Sequence, residues 1–189
     1  LTPPDAFLSA KGDPNMKRSV KGILSAVLIL CVLFVGSLFF NHDIGVPKSR
    51  LEEDIRSSQH IDNTWTVTGE ASEEIAAYIS YPEDRSDHTF SIYVNYPGLS
   101  FGYFFRAGGS FSGLHTSIVS YTVSGTNQRA FISMNEQHAA RLKINGGNVE
   151  QVIELDSNKP FALVLPQNMD VVAFYDTEGN VVEFYEQKI

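Results

Sequence analysis

Residues 88–96 read HTFSIYVNY, and the fold turns on this stretch. Phe90, Ile92, Val94 and Tyr96 recur at every second position, with polar residues mainly between them. A strand points successive side chains to opposite faces, so this spacing describes a strand with one apolar face. Upstream, Trp65 and Val67 alternate with Thr64, Thr66 and Thr68; downstream, Phe101, Tyr103 and Phe105 alternate in SFGYFFR. Further short runs follow at 116–123, 129–134, 140–144, 149–155, 161–165, 171–175 and 181–185. Between them lie turn-forming clusters: Pro82 to Asp87, Pro97-Gly98, Asn145 to Asn148, Asn158 to Pro160 and Asp176 to Asn180. Asn145-Gly146 and Gly179-Asn180 supply the positive-φ residues that tight hairpins require. Residues 71–79 (ASEEIAAYI) have helix-forming Glu and Ala, but alternation of Ile75, Ala77, Ile79 and Tyr81 favours a strand. About ten short strands without a long helix among them predict an all-β fold, an antiparallel sandwich or jelly-roll-like domain over residues 64–189. No period of about 20 to 50 residues repeats, which argues against a solenoid.

The N-terminal side differs in kind. Residues 22–40 read GILSAVLILCVLFVGSLFF, free of charge, amide, His and Pro. As a helix this run spans about 28 Å, close to a hydrocarbon core of about 30 Å. Lys17, Arg18 and Lys21 precede it, while His42 and Asp43 follow. The positive-inside rule then places residues 1–21 in the cytoplasm and everything beyond about residue 41 outside. A cleaved signal peptide is the rival reading, but its apolar core is usually shorter, and Val35-Gly36-Ser37 is followed by Leu38, Phe39 and Phe40. Lipoprotein processing at Cys31 needs a small residue before the Cys, where Leu30 stands. Translation is expected to begin at Met16, making residues 1–15 an upstream extension and a disordered tail. Residues 41–63 read as a stalk containing a short helix after Pro47. In it Leu51 and Ile55 share a face and Glu52 pairs with Arg56, so the helix either lies on the domain or spaces it from the bilayer.

The whole chain has 189 residues, a net charge of -8, one Cys and 43% hydrophobic residues. That charge is divided: residues before the apolar run carry a net +2 and those after it a net -10. An acidic exported part argues against nucleic acid as a partner. A single Cys excludes an internal disulfide and any site needing two thiolates.

The segments Asp87-His-Thr-Phe-Ser-Ile-Tyr93, Ser100-Phe-Gly-Tyr-Phe-Phe-Arg-Ala-Gly-Gly-Ser110 and Phe174-Tyr-Asp-x-x-Gly-Asn180 together resemble small membrane-anchored proteins of Gram-positive bacteria. The resemblance covers roughly residues 16–185. It implies a bacterial plasma membrane and an extracellular β-domain, and it implies no reaction.

Gly109-Ser-Phe-Ser-Gly113 has Phe111 where a nucleophile elbow needs Ser, and it reads as a flexible loop. The five histidines, His42, His60, His88, His115 and His138, stand singly; Asp84, Asp87 and His88 form the densest potential metal cluster, in what reads as a solvated acidic turn. Glu150, Glu154 and Asp156 cluster at a strand and its end, with the two glutamates on one face as a glycosidase pair would be, though outward glutamates on a strand are normally a solvated surface. Tyr93, Tyr96, Phe101, Tyr103, Phe104, Phe105 and Phe111 crowd one short region, and Phe104 and Arg106 are expected to face away from Phe101, Tyr103 and Phe105. Most of these rings belong to a core. An exposed edge beside Arg106 and Gly108-Gly109 suits a sugar ring or a peptide strand. The candidate ligand-binding residues are therefore Tyr103, Phe104, Arg106, Ser110 and His115, with no cofactor and no metal.

The sequence thus predicts a single-pass plasma-membrane protein with a binding or structural role at the bacterial cell envelope. Its partners are the lipid bilayer, through residues 22–40, and a cell-wall glycan, a peptide or another membrane protein. The alternatives are an envelope glycan hydrolase using paired carboxylates, an accessory subunit of a membrane complex, and a secreted domain released by signal cleavage.

Overall fold

A computed structural model describes residues 14–40, 45–95, 102–145, 150–169 and 171–189. The turns expected at Pro97-Gly98 and Gly146 to Asn148, and the rings of Tyr96 and Phe101, lie outside the described residues. The chain divides into two units, Leu1–Asp43 and Ile44–Ile189.

The described residues of the first unit form the helix α1 (Pro14–Phe40). Ile23, Leu24, Val27, Leu28, Ile29, Leu30, Val32, Leu33, Phe34 and Val35 are all more than half exposed. Neighbours in a helix point about 100° apart, so consecutive exposed apolar residues leave every side of α1 apolar. Side-chain burial is described from residue 23 to residue 37, about 22 Å of helix. Among the described residues no helix is long and apolar enough to cross a membrane.

The second unit is mostly β. A 3-10 turn (Lys48–Arg50) and α2 (Leu51–Ser58) are followed by β1 (Thr66–Ala71), β2 (Ile75–Tyr81), β3 (Thr89–Asn95) and β4 (Tyr103–Gly109). A single helical turn, α3 (Gly113–Thr116), precedes β5 (Ile118–Thr122), β6 (Gln128–Ser133), β7 (Ala139–Asn145) and β8 (Glu150–Glu154). The chain ends in β9 (Phe161–Pro166), β10 (Val171–Asp176), β11 (Val181–Val182) and β12 (Phe184–Lys188). Residues 75–81 are thus a strand, as their alternation predicts. The run at 181–185 is split at Glu183 into two strands that join different sheets.

The sandwich has three sheets rather than the two of a simple sandwich or jelly roll. The first has the order β1-β2-β3-β4, the second β12-β5-β6-β9 and the third β11-β10-β7-β8. Ile75, Ile79, Ile92 and Val94 of the first sheet meet Val119, Tyr121 and Ile132 of the second in one core. Ile118, Phe131 and Phe161, on the opposite face of the second sheet, meet Leu142, Ile144 and Phe174 of the third. The second sheet is therefore covered on both sides, which explains why β5 and β6 read as nearly continuous buried runs. Among the described residues all strand pairings but one are antiparallel; β12 runs parallel to β5, with Phe184 opposite Ile118 and Lys188 opposite Thr122.

The outer face of the first sheet is closed by α2. Leu51 and Ile55 are buried against Ala76, Tyr93 and Tyr103, and the Tyr93 hydroxyl donates to Asp54 Oδ2 at 2.7 Å. Of the two roles open to the helix in the supposed stalk, this packing selects the first: it lies on the domain and forms part of its core. The same packing explains why β3 is buried on both faces, with Ser91 and Tyr93 as enclosed as Ile92 and Val94.

Candidate functional site

The first and second sheets overlap at β1 and β9 on one side, which leaves β4 and β12 as the end strands on the other. The chain leaves β4 at Gly109, whose φ of 126° suits a glycine, and passes through Ser110 and Phe111 into α3. A cleft of about 410 Å³ opens between this segment and β12. Phe111, Gly113 and Thr116 form one wall; Tyr185, Glu186 and Gln187 of β12 form the other. Both aromatic rings are accessible, Phe111 at 38% and Tyr185 at 61%. A Cβ on Gly113 would lie 2.5 Å from the Phe111 ring, so this glycine makes room for the ring where it stands.

The Phe111 segment is tied down from below. The Phe111 carbonyl accepts the Leu114 amide at 2.9 Å, and His88 Nε2 lies 2.9 Å from the same oxygen. Leu114 is fully buried and its carbonyl accepts the Met134 amide at 2.8 Å. The His115 carbonyl accepts from Gln137 Nε2 at 3.0 Å, and His115 Nδ1 lies 2.5 Å from Glu136 Oε1. The His88 and His115 rings meet edge to face with centroids 4.6 Å apart. Burial lowers the tendency of His88 to take up a proton, and nearby His115 acts in the same direction; the Phe111 carbonyl, Asp87 and Glu136 oppose them.

The five candidate residues do not converge on one spot. Tyr103 is buried against α2, its hydroxyl donating to the Ser72 carbonyl. Phe104 is half-buried and Arg106 exposed farther along β4. Ser110 is exposed next to Phe111, and His115 lies in α3. From Tyr103 to Ser110 an extended chain covers about 23 Å, so only Ser110 and His115 belong to the neighbourhood of the cleft. The expected division of faces along β4 also changes. Tyr93 pairs with Phe105 and Ile92 with Ala107, so Arg106 is the extra residue of a β-bulge. Phe105 then stacks edge to face on Tyr93 with centroids 5.6 Å apart, while staying 49% exposed.

The other leads find structural explanations. Asp84 Oδ1 accepts from the Ser86 amide and hydroxyl, and these bonds hold its pKa below the usual value. Asp87 accepts the His88 amide at 2.7 Å. Among the described residues no three His, Cys, Asp or Glu side chains come together as metal ligands. Asp156 pairs with Lys159 at 2.9 Å and also accepts the Asn158 amide, both of which lower its pKa. A general acid needs the opposite shift. A second cleft, of about 440 Å³, is lined by Glu74, Asn127, Gln128 and Gln167, but these are engaged with each other and with Ser72.

Of the residues around this cleft, sequence reasoning missed Tyr185 altogether; it reached Phe111 only as a member of the aromatic cluster and His88 only as a member of the acidic turn. The parallel pairing that sets β12 beside β5 leaves no local signature. The available signal was Tyr185 itself, a large ring on the polar phase of the last alternating run. Comparison of the chain with known protein families, curated proteins and solved structures finds no match.

Proposed function

We propose that the protein is a membrane-tethered binding module of the bacterial cell envelope, with α1 in the plasma membrane, the N-terminus in the cytoplasm and the β-unit outside. The anchor reading is supported by the apolar surface that α1 carries on every side. The net positive charge before residues 22–40 supports the orientation. The binding role rests on one observation: two accessible aromatic rings, Phe111 and Tyr185, flank a cleft edged by Thr116, Glu186 and Gln187. Flat rings beside hydroxyl, amide and carboxylate groups match the alternating apolar faces and hydroxyl edges of a sugar. The ligand on this reading is wall glycan.

Titration of the full chain in detergent micelles with soluble peptidoglycan fragments tests it. Tyr185 is mostly exposed, so Tyr185→Ala leaves the fold intact; it is expected to weaken binding about tenfold, or about 1.4 kcal/mol. Equal binding by the native chain and Tyr185→Ala, or no binding by either, would remove this cleft as the glycan site.

A further inference from the structure

His88 is 2% exposed, yet its ring nitrogen Nδ1 has no hydrogen-bond partner among the described residues. Nε2 lies 2.9 Å from the Phe111 carbonyl oxygen and 3.3 Å from the Phe111 amide nitrogen. In one tautomer Nε2–H donates to the carbonyl, and in the other Nε2 accepts from the amide. In both, the buried Nδ1 has no hydrogen-bond partner among the described residues. A neutral ring tolerates this better than a charged one. A second proton would place an N–H without an acceptor, and a full charge, inside the protein.

We propose that His88 is a positioning residue that holds Phe111, one wall of the cleft, in place only while its ring is neutral, so that acidification releases that wall. The proposal rests on the reading of the Phe111–Tyr185 cleft as the ligand site. Three ionisable groups face the ring. His115, in α3, touches it edge to face, and a proton there repels a proton on His88. Asp87, the preceding residue, and Glu136, in the turn between β6 and β7, favour the charged ring. Glu136 is already engaged by His115 at 2.5 Å, and Asp87 by the His88 amide. Burial is the largest influence and sets the direction downward. The sign follows from linkage. A histidine held neutral contributes its full stabilisation above the unfolded value of about 6.5. That contribution is lost as pH falls from there through the lower folded value. The bond to the Phe111 carbonyl itself favours the charged ring, so release comes from the cost of a charge in the buried pocket, which drives the ring out and removes its hold on the Phe111 backbone.

Nuclear magnetic resonance on the full chain in detergent micelles reads this without any ligand. Histidine rings and phenylalanine are isotopically labelled, signals are assigned with His88→Gln and Phe111→Tyr, and pH is lowered from about 8 to about 5. The expected result is a His88 midpoint below about 6.5, with the Phe111 signal moving at the same midpoint. Glutamine keeps a neutral donor in place of Nε2, so in His88→Gln the Phe111 signal should stay flat. His115→Gln, which removes the neighbouring charge, should raise the His88 midpoint. The proposal is overturned by a Phe111 signal that stays still while His88 titrates, or that moves equally in His88→Gln. It is also overturned by a His88 midpoint at the ordinary value, or one that His115→Gln leaves unchanged. Glycan titration at about pH 7.5 and about pH 5.5 then separates the two readings. Binding that is at least fivefold weaker in acid, and pH-independent in His88→Gln, supports both. Absence of binding at either pH removes the glycan assignment alone, since the Phe111 titration is judged without ligand.

Discussion

Arg56 shows how one side chain joins local and tertiary structure. Its guanidinium pairs with Glu52 at 2.7 Å, one turn earlier in α2, and also donates to the carbonyls of Asp62 and Trp65. The first interaction is an exposed i,i+4 pair worth a few tenths of a kcal/mol. The others satisfy the backbone that leads from α2 into β1. Glu52→Ala is therefore expected to cost less than about 0.5 kcal/mol and Arg56→Ala about 1–3 kcal/mol. Urea unfolding of the two variants checks this, and equal losses would contradict it. The Glu52–Arg56 pair was legible in the sequence because helix geometry fixes which residues are neighbours at that range. The partners of His88 were not legible, because Phe111 and His115 reach it through sheet pairing across more than twenty residues. Arg106 illustrates a third case. Alternation assigned it a face, but a bulge inserts one residue and reverses the phase along the rest of β4.

At the scale of elements, α2 is the most informative piece. Two apolar residues are a thin stripe, and the sequence left open whether this helix packs or only spaces. Leu51 and Ile55 are only 1% and 0% exposed, inserted over the outer face of β2 and β3. Ile55→Ala should destabilise the β-unit by about 2–5 kcal/mol, the cost of emptying a packed core site. A change below about 0.5 kcal/mol in thermal or urea unfolding would mean that α2 is a spacer after all. The strands were largely legible: the apolar runs between turn clusters became strands, with the run at 181–185 divided into two. Their partners were not. A strand covered on both faces, such as β6, shows only that it is interior, and nothing local distinguishes two sheets from three. Gly69 is one place where sheet pairing leaves a trace: a Cβ there would lie 2.1 Å from the Ala77 carbonyl oxygen across the β1–β2 ladder. That steric demand becomes readable only once the partner strand is known.

For the molecule as a whole, the division of charge and apolar surface carries the functional reading. The β-unit encloses most of its large apolar residues in three clusters, leaving Phe105, Phe111 and Tyr185 among the exceptions, whereas α1 exposes nearly all of its own along the residues described. An apolar surface of that kind calls for a nonaqueous surrounding or a protein cover, and on the proposed reading that surrounding is a bilayer, with the basic residues before it setting the orientation. The cleft between Phe111 and Tyr185 lies in the β-unit, which on this account faces the cell wall. The most direct measurement is protease accessibility in intact Gram-positive cells that express the full chain with different tags at its two ends, combined with alkaline extraction of their membranes. The expected result is a C-terminal tag digested in intact cells, an N-terminal tag protected until lysis, and the uncleaved chain retained in the extracted membranes. A C-terminal tag protected in intact cells, or an uncleaved chain released by alkali, would contradict the tethered, outward-facing arrangement.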